Sequence, residues 1–278
     1  MGTFIKKEPD MNNAEIVSVI DELPFWSAPF CLKLLDVIKY RKNIKALDIG
    51  FGTGIPLLEV AQRLGDTCKV YGIDPWEAAI ERCKKKIKVY GITNVKLFNG
   101  VAENLPFDSS FFNLIVSNNG LNNVENAQQA LFECHRVCKP NAQLVIIYNL
   151  PDTMKEFYEV FINVLEDLNL SLEIQKVKDH IFQKRKPLDY TQNQITEAGF
   201  KVTNIIEDCF NYKYADGTSM LNHFFIRLAF SYPWEKLLPE DRVNEIFSLI
   251  EERLNHLAKD DNGIQLTIPF ACIEAYKL

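Results

Sequence analysis

No stretch of the 278-residue chain approaches the roughly 18 consecutive apolar residues of a membrane span, so a helical membrane protein is excluded. Internal repeats and low-complexity tracts are absent, which excludes solenoids, collagen-like chains and disorder. Basic charge is in deficit: 31 Lys and Arg face 37 Asp and Glu, a net charge of −6. A nucleic-acid platform needs clustered cations to neutralise phosphates. The one serious cluster, Arg82, Lys84, Lys85, Lys86 and Lys88, falls in a helix-like segment and reads as its solvated face. The start (MGTFIKKEPD) has no apolar core of a signal peptide, and the seven cysteines are scattered and odd in number. A reducing, cytoplasmic setting with free thiols is expected. Cys134, His135 and Cys138 lack two further ligands at usable spacing, so small buried thiols are expected there and no metal.

What is present is ordinary for a globular protein: 47% hydrophobic and 24% charged residues. Residues 13–40 read as helical, punctuated by Pro24 and Pro29. Short, near-continuous apolar runs then alternate with helix-like stretches. The runs are 45–50, 69–74, 95–100, 111–117 and 143–150, and the helices 55–64, 76–90 and 125–138. Parallel strands buried on both faces read this way, so the pattern predicts a doubly wound parallel sheet. Beyond Leu150, Phe157, Val160, Phe161, Val164, Leu165 and Leu168 form a helical stripe, and Gly199 suits a helix end. Residues 209–262 read as an insertion rich in aromatics, with an amphipathic second half carrying Val243, Ile246, Phe247, Ile250, Leu254 and Leu257. A closing strand, LTIPFACIEAYK, fits an antiparallel addition to the sheet.

The first run ends in Asp48-Ile49-Gly50-Phe51-Gly52-Thr53-Gly54, and a helix begins just after. Alternate glycines let the backbone turn sharply and approach a ligand, beside the unpaired N–H groups of a helix start. The spacing is neither that of a dinucleotide fingerprint nor that of a P-loop. Asp48 would repel a phosphate and suits a cationic group such as an ammonium, held directly or through water. The second run ends in Asp74, whose carboxylate can accept from both hydroxyls of a ribose. Pro75 and Trp76 can wall a flat apolar slot for a purine; packing between helix and sheet is the other use of Trp76.

DIGFGTG, GIDP, NGVAENLPFDSSFFNLIVSNN and HRVCKPNAQLVI, in that order, resemble the class I S-adenosylmethionine-dependent methyltransferases, and among them the ubiquinone/menaquinone-biosynthesis type. The resemblance covers residues 40–150 and extends only in outline beyond them. It implies a seven-stranded, mostly parallel Rossmann-like sheet with a last antiparallel strand, in a single domain. Residues 1–40 would be an N-terminal cap, 41–150 the cofactor core, and 151–190 and 209–262 helical insertions forming a lid. It further implies that Gly50, Phe51, Gly52, Thr53 and Gly54 pass under the methionine and ribose of S-adenosylmethionine, and that Asp48 helps bind the amino group. Asp74 would hold the ribose, Pro75 and Trp76 flank the adenine, Ala102 and Glu103 face its edge, and Ser117 and Asn118 lie beside the methyl. Val101 departs from the family, which often has an acid there; Glu103, Asn99 or a water would take its place. Asn141 stands where glycine is common.

The expected activity is methyl transfer to a small or medium, apolar or aromatic acceptor. No nucleic-acid or membrane partner is expected; the 209–262 insertion is expected to shape the acceptor pocket, a helical hairpin that only extends the core or forms a homodimer face being its alternative use. No general base is evident: His223 is the first candidate, with Tyr190, Asp216 and Asn122 behind it. Phe25 and Trp26 either pack on the core or close the cofactor cleft. A Rossmann oxidoreductase is the competing enzyme class, opposed by the glycine spacing and by Asp48. A methyltransferase-like fold that binds the ligand without turnover is the third reading.

Overall fold

The computed structural model describes residues 10–20 and 24–278, and their side chains except at 24, 25, 260 and 261. The chain divides into two compact units. A sheet unit comprises residues 10–149, 186–208 and 270–278; a helical unit comprises 150–185 and 209–269.

In chain order the sheet unit opens with α1 (Ala14–Ile20), α2 (Pro24–Val37), β1 (Lys45–Ile49), α3 (Leu57–Leu64) and β2 (Lys69–Asp74). There follow α4 (Glu77–Tyr90), β3 (Val95–Asn99), β4 (Phe112–Asn118), α5 (Ala127–Val137) and β5 (Cys138–Asn149). The helical unit begins with α6 (Lys155–Asp167) and α7 (Ser171–Lys184). The chain then returns through α8 (Leu188–Glu197) to β6 (Phe200–Tyr214), which runs on into the helical unit. Next come α9 (Gly217–Asn222), α10 (Phe224–Ile226), a π-helical turn, α11 (Tyr232–Glu235) and α12 (Val243–Asp261). Finally β7 (Ile264–Lys277) leads back into the sheet unit.

The seven strands are ordered β3-β2-β1-β4-β5-β7-β6; β1 to β5 run parallel and β7 pairs antiparallel with β5. This is the expected seven-stranded sheet with an antiparallel late strand. Strand β1 has β2 on one side and β4 on the other, so the order reverses there, and ligands of such sheets bind outside the carboxyl ends at that point.

The strands form where the sequence is apolar on both faces. Ala46, Leu47, Asp48 and Ile49 are all buried. Helix α3 turns Leu57, Leu58, Val60, Ala61 and Leu64 inward at helical spacing. Helix α4 buries Ala79, Ile80 and Cys83 and leaves Lys84, Lys85 and Lys88 exposed, so the basic run is a solvated face. Gly91 closes α4 in the left-handed conformation at φ 67°, donating to Ile87 and Lys88.

Three element boundaries and interruptions differ from the sequence-based expectation. Pro29 lies inside α2 and does not end it. The helix continues because Phe30, Leu34 and Leu35 bury almost completely, outweighing the one backbone bond that proline removes. Strand β5 starts at Cys138, five residues early, with a register shift opposite Phe112 and Leu114. Asn141 accommodates the turn in that irregular start at φ 60°. The insertion begins only after Tyr214: Phe210, Tyr212 and Tyr214 alternate along β6, with neighbouring ring centroids 5.7 and 6.4 Å apart.

The helical unit has its own core. Trp234 is fully buried, stacks on Phe157 at 3.9 Å, and donates from its indole to the Tyr158 hydroxyl at 3.0 Å. Phe161 meets Phe247 of α12. Part of the aromatic density of residues 209–262 therefore builds this core. Leu257, expected on the buried face of α12, is 44% exposed.

Candidate functional site

Asp48, on β1 at the reversal of strand order, is fully buried, and neither carboxylate oxygen has a hydrogen-bond partner. A buried charge without a partner is costly, which favours the protonated form. Burial, and then the neighbouring Asp74 carboxylate, push the Asp48 pKa well above the ordinary carboxylate range. The Leu57 backbone N–H opposes this weakly, from outside hydrogen-bonding geometry. Cys31 of α2 senses the same carboxylate: burial first, then Asp48, lift its thiol to about 12.

The glycine loop leaves β1 with Gly50, whose N–H donates to the Ile73 carbonyl. Gly50 has φ +75°, and a Cβ built on it would come 2.6 Å from the Cα of Gly120. Gly120 is equally confined, since its own Cβ would sit 2.2 Å from the Ile49 carbonyl oxygen. The backbones after β1 and β4 thus meet at two glycines. Gly52 differs: at φ +53° a Cβ there would meet nothing within 4 Å, so this part of the loop borders open space. Gly54 backs onto Cys83 and Leu58. Phe51 is 1% exposed with its ring against Gly72, leaving only its backbone to the loop. Thr53 is half-buried.

Asp74 braces this loop. Its Oδ2 accepts from the Gly52 N–H at 2.7 Å and its Oδ1 from the Trp76 N–H at 2.8 Å. Its pKa is raised by burial, which those two N–H donors offset only in part. Asp74→Ala therefore removes both a loop anchor and any ligand contact the carboxylate makes. We expect cofactor affinity to fall by about 2–3 kcal/mol, measured by calorimetry with S-adenosylhomocysteine. An unchanged dissociation constant would remove Asp74 from the site.

Other expected site residues sit at the carboxyl ends of the strands, with varied commitments. Pro75 is exposed, and Trp76 is half-buried with its indole donating to the Met11 carbonyl at 2.6 Å. Ala102 is buried. Glu103 Oε1 accepts from the Asn126 N–H at 3.0 Å, which ties it to the start of α5. Asn99, paired with Asp74 across β2 and β3, is exposed. Ser117 is fully buried; its hydroxyl donates to the Ile49 carbonyl and accepts from the Leu121 N–H. Asn118 directs Nδ2 at the Ser27 carbonyl at 3.5 Å, while its buried Oδ1 has no partner.

The base candidates divide differently. His223 is exposed in the helical unit, edge-on to Tyr214. Asp216 caps α9 through the Ser219 N–H. Tyr190 is exposed, and Asn122 bonds to Asn119. Phe25 lies outside the described side chains; Trp26 packs edge-on to Phe30 at 5.8 Å. Cys134 and Cys138 are buried in α5 and at the start of β5, as small buried thiols. Sequence reasoning missed Gly120, a glycine following two asparagines in a loop.

The strand order, the glycine loop at its reversal and the acidic residues ending β1 and β2 define a class I, Rossmann-like methyltransferase fold. Residues 47–146 match the family model described as a methyltransferase domain. It is 35% identical over 121 residues to a demethylmenaquinone methyltransferase of Geobacillus stearothermophilus, which covers 44% of this chain and 52% of that protein. The chain thus spans about half the length of the curated relatives it matches. Among solved structures, the YcgJ protein of Bacillus subtilis superposes with a TM-score of 0.59 at 18% identity, covering 90% of this chain and 98% of that one. The [4+2]-cyclase SpnF superposes with a TM-score of 0.54 at 15% identity, covering 90% and 80%. These two likenesses concern the fold alone. Among the described residues, no helix is long and apolar enough to cross a membrane.

Proposed function

We propose that the protein is an S-adenosylmethionine-dependent methyltransferase acting on a small or medium acceptor with an apolar or aromatic body. The observation that carries this reading is Asp48, a fully buried carboxylate with both oxygens unpartnered beside a glycine loop bordering open space. That arrangement fits a ligand with an ammonium group near a compact, close-lying chain. S-adenosylmethionine, when bound, supplies an electrophilic sulfonium methyl.

On this reading Asp48 holds the amino group of the donor, and the backbone of residues 50–54 passes under its methionine and ribose. Asp74, with lone pairs left over from its two N–H partners, accepts from the ribose hydroxyls. Pro75 and Trp76 flank the adenine. Ala102 and the backbone of Glu103 border the adenine edge, and exposed Asn99 substitutes for the acid that Val101 replaces. Ser117 fixes the backbone after β4, so that Asn118 is presented beside the reacting methyl. These residues bind and orient; an acceptor held in line about 3 Å from the methyl needs little further help. A neutral amine, thiolate or enolate needs no base, so none of the candidate bases is required.

Acceptor choice is assigned to residues outside the matched segment, since residues 47–146 are accounted for by the donor and the sheet. Demethylmenaquinone, named for the curated relatives, is the first acceptor to test. The decisive experiment incubates the full chain with methyl-labelled S-adenosylmethionine and a panel of aromatic and apolar acceptors, followed by mass analysis. Label transfer that disappears in Gly52→Val supports the proposal. Donor binding without transfer to any acceptor would favour the non-catalytic reading.

A further inference from the structure

The helical unit holds a nearly buried cation without an anion. Arg185, the residue that closes α7, keeps only 6% of its surface. Its backbone N–H ends the helix by donating to the Ile181 carbonyl. Its guanidinium crosses to α6, where Nη1 donates to the Tyr158 hydroxyl at 3.2 Å and the guanidinium carbon lies 5.3 Å from the centre of the Tyr158 ring. Among the described residues no carboxylate pairs with it. Glu173 of the same helix is committed to Lys176, and Asp167 of α6 to Arg253 of α12. A basic residue that serves only the dipole of a helix end does so from the surface. A guanidinium taken out of water with a neutral partner alone is costly.

Donors outnumber acceptors around Arg185. Tyr158 Oη accepts from Arg185 and also from Trp234 Nε1 at 3.0 Å, and its own O–H finds no acceptor among the described residues. The Nε and Nη2 nitrogens of Arg185 likewise donate to no described residue, yet neither is sealed from solvent. These two nitrogens form one edge of the guanidinium fork, with parallel N–H groups spaced for the two oxygens of a carboxylate. Tyr158, itself fixed by Trp234, holds the other side of the fork through Nη1 and so sets which edge remains open. The surroundings add no negative charge. His180, half-buried on α7, is pushed down to about 4 by burial first and then by Arg185 and Lys184, so at neutral pH it carries no charge. A single unpaired cation beside a neutral imidazole matches a single negative charge.

We propose that Arg185 binds the carboxylate of a ligand side-on through Nε and Nη2, with Tyr158 as the positioning residue that orients the guanidinium. The assignment is independent of the donor site, because Arg185, Tyr158, Trp234 and His180 all belong to the helical unit. It therefore stands or falls separately from the methyltransferase reading.

The test titrates the full chain, without donor, with acetate, acetamide, inorganic phosphate and chloride at constant ionic strength, followed by ligand-observed NMR. Acetamide keeps the shape of acetate and loses its charge. The wild type is expected to bind acetate roughly ten-fold or more tightly than acetamide or chloride, and more tightly than phosphate. Arg185→Lys, which keeps the charge without the fork, is expected to lose most of that preference, and Arg185→Met all of it. In acetate-free buffer Arg185→Met should melt no lower than the wild type, because an unpaired buried charge is removed. Equal binding of acetate and acetamide, no binding of acetate, or an unchanged preference in Arg185→Met overturns the proposal. Tighter binding of phosphate or chloride overturns the assignment to a carboxylate. A melting temperature of Arg185→Met several degrees below the wild type also overturns it, since the guanidinium would then already have partners that offset its burial. The wild-type comparison of acetate with acetamide needs no variant, so it decides the matter even if neither substitution folds.

Discussion

Gly52→Val is expected to abolish measurable cofactor binding while leaving the melting temperature within a few degrees of the wild type. Two causes act together. Gly52 holds φ +53°, a conformation that a β-branched residue adopts only at a cost of about 1–3 kcal/mol. Its N–H donates to Asp74 Oδ2, so a shift in φ also disturbs the carboxylate assigned to the ribose. The space a side chain would enter contains no protein atom within 4 Å. The new methyl groups therefore do not strain the core; they occupy room assigned to the ligand. Gly50→Ala makes the contrast, because its Cβ would collide with the Gly120 backbone and its damage should appear as lost stability. Calorimetry with S-adenosylhomocysteine and a thermal melt of both variants separate the two cases. Normal binding by Gly52→Val would show that the loop does not lie under the ligand.

Asp48→Asn is expected to stabilise the ligand-free protein and to weaken cofactor binding. The folded-state pKa of Asp48 is raised above its unfolded value, by burial first and by Asp74 second. Its favourable contribution is therefore complete at pH below the ordinary carboxylate range. It is lost progressively as pH rises from there through the folded-state pKa, because the unfolded chain ionises first. Asparagine does not titrate, so its stability advantage should be present at neutral pH and shrink on acidification. Each kcal/mol corresponds to roughly 2–4 °C in a chain of this size. With ligand, the sign reverses. An ammonium favours the ionised carboxylate, so binding to the wild type releases a proton and tightens as pH rises towards the folded-state pKa. The asparagine variant loses a charged hydrogen bond worth about 1.5–3 kcal/mol and, with it, most of that pH dependence. A variant less stable than the wild type when ligand-free, or one with wild-type affinity, would contradict the assignment of Asp48.

Most of the sheet was legible because β1, β2 and β4 are buried on both faces and read as unbroken apolar runs. The glycine loop was legible because few local sequences place three glycines between a strand and a helix. What stayed hidden depends on packing between distant residues. Nothing local distinguishes Ser117, locked to Ile49 sixty-eight residues away, from a serine facing a ligand. Glu103 is tied to Asn126 in the same way. Phe210, Tyr212 and Tyr214 carried a two-residue period that marks a strand, but their aromatic density drew them into the neighbouring insertion. Trp234 was counted among the aromatics of the 209–262 insertion and proves to be the largest fully buried side chain of the helical unit. Arg185 gave no sequence signal, because a buried guanidinium without an acid is visible only once every neighbour is placed.

The superposition on a [4+2]-cyclase shows that this fold also occurs in a protein described by a different reaction. Donor binding and turnover are therefore separate claims for this chain. The two claims are tested separately: the acceptor panel bears on turnover, while the donor site can be tested without any acceptor.

The most direct test of that site is a calorimetric titration of the full chain with S-adenosylhomocysteine at neutral pH, repeated in buffers of different ionisation enthalpy. The account predicts one site per chain, a free energy of about 7–8 kcal/mol corresponding to low-micromolar affinity, and a proton released on binding. Absence of heat in every buffer, together with no thermal shift, would contradict it.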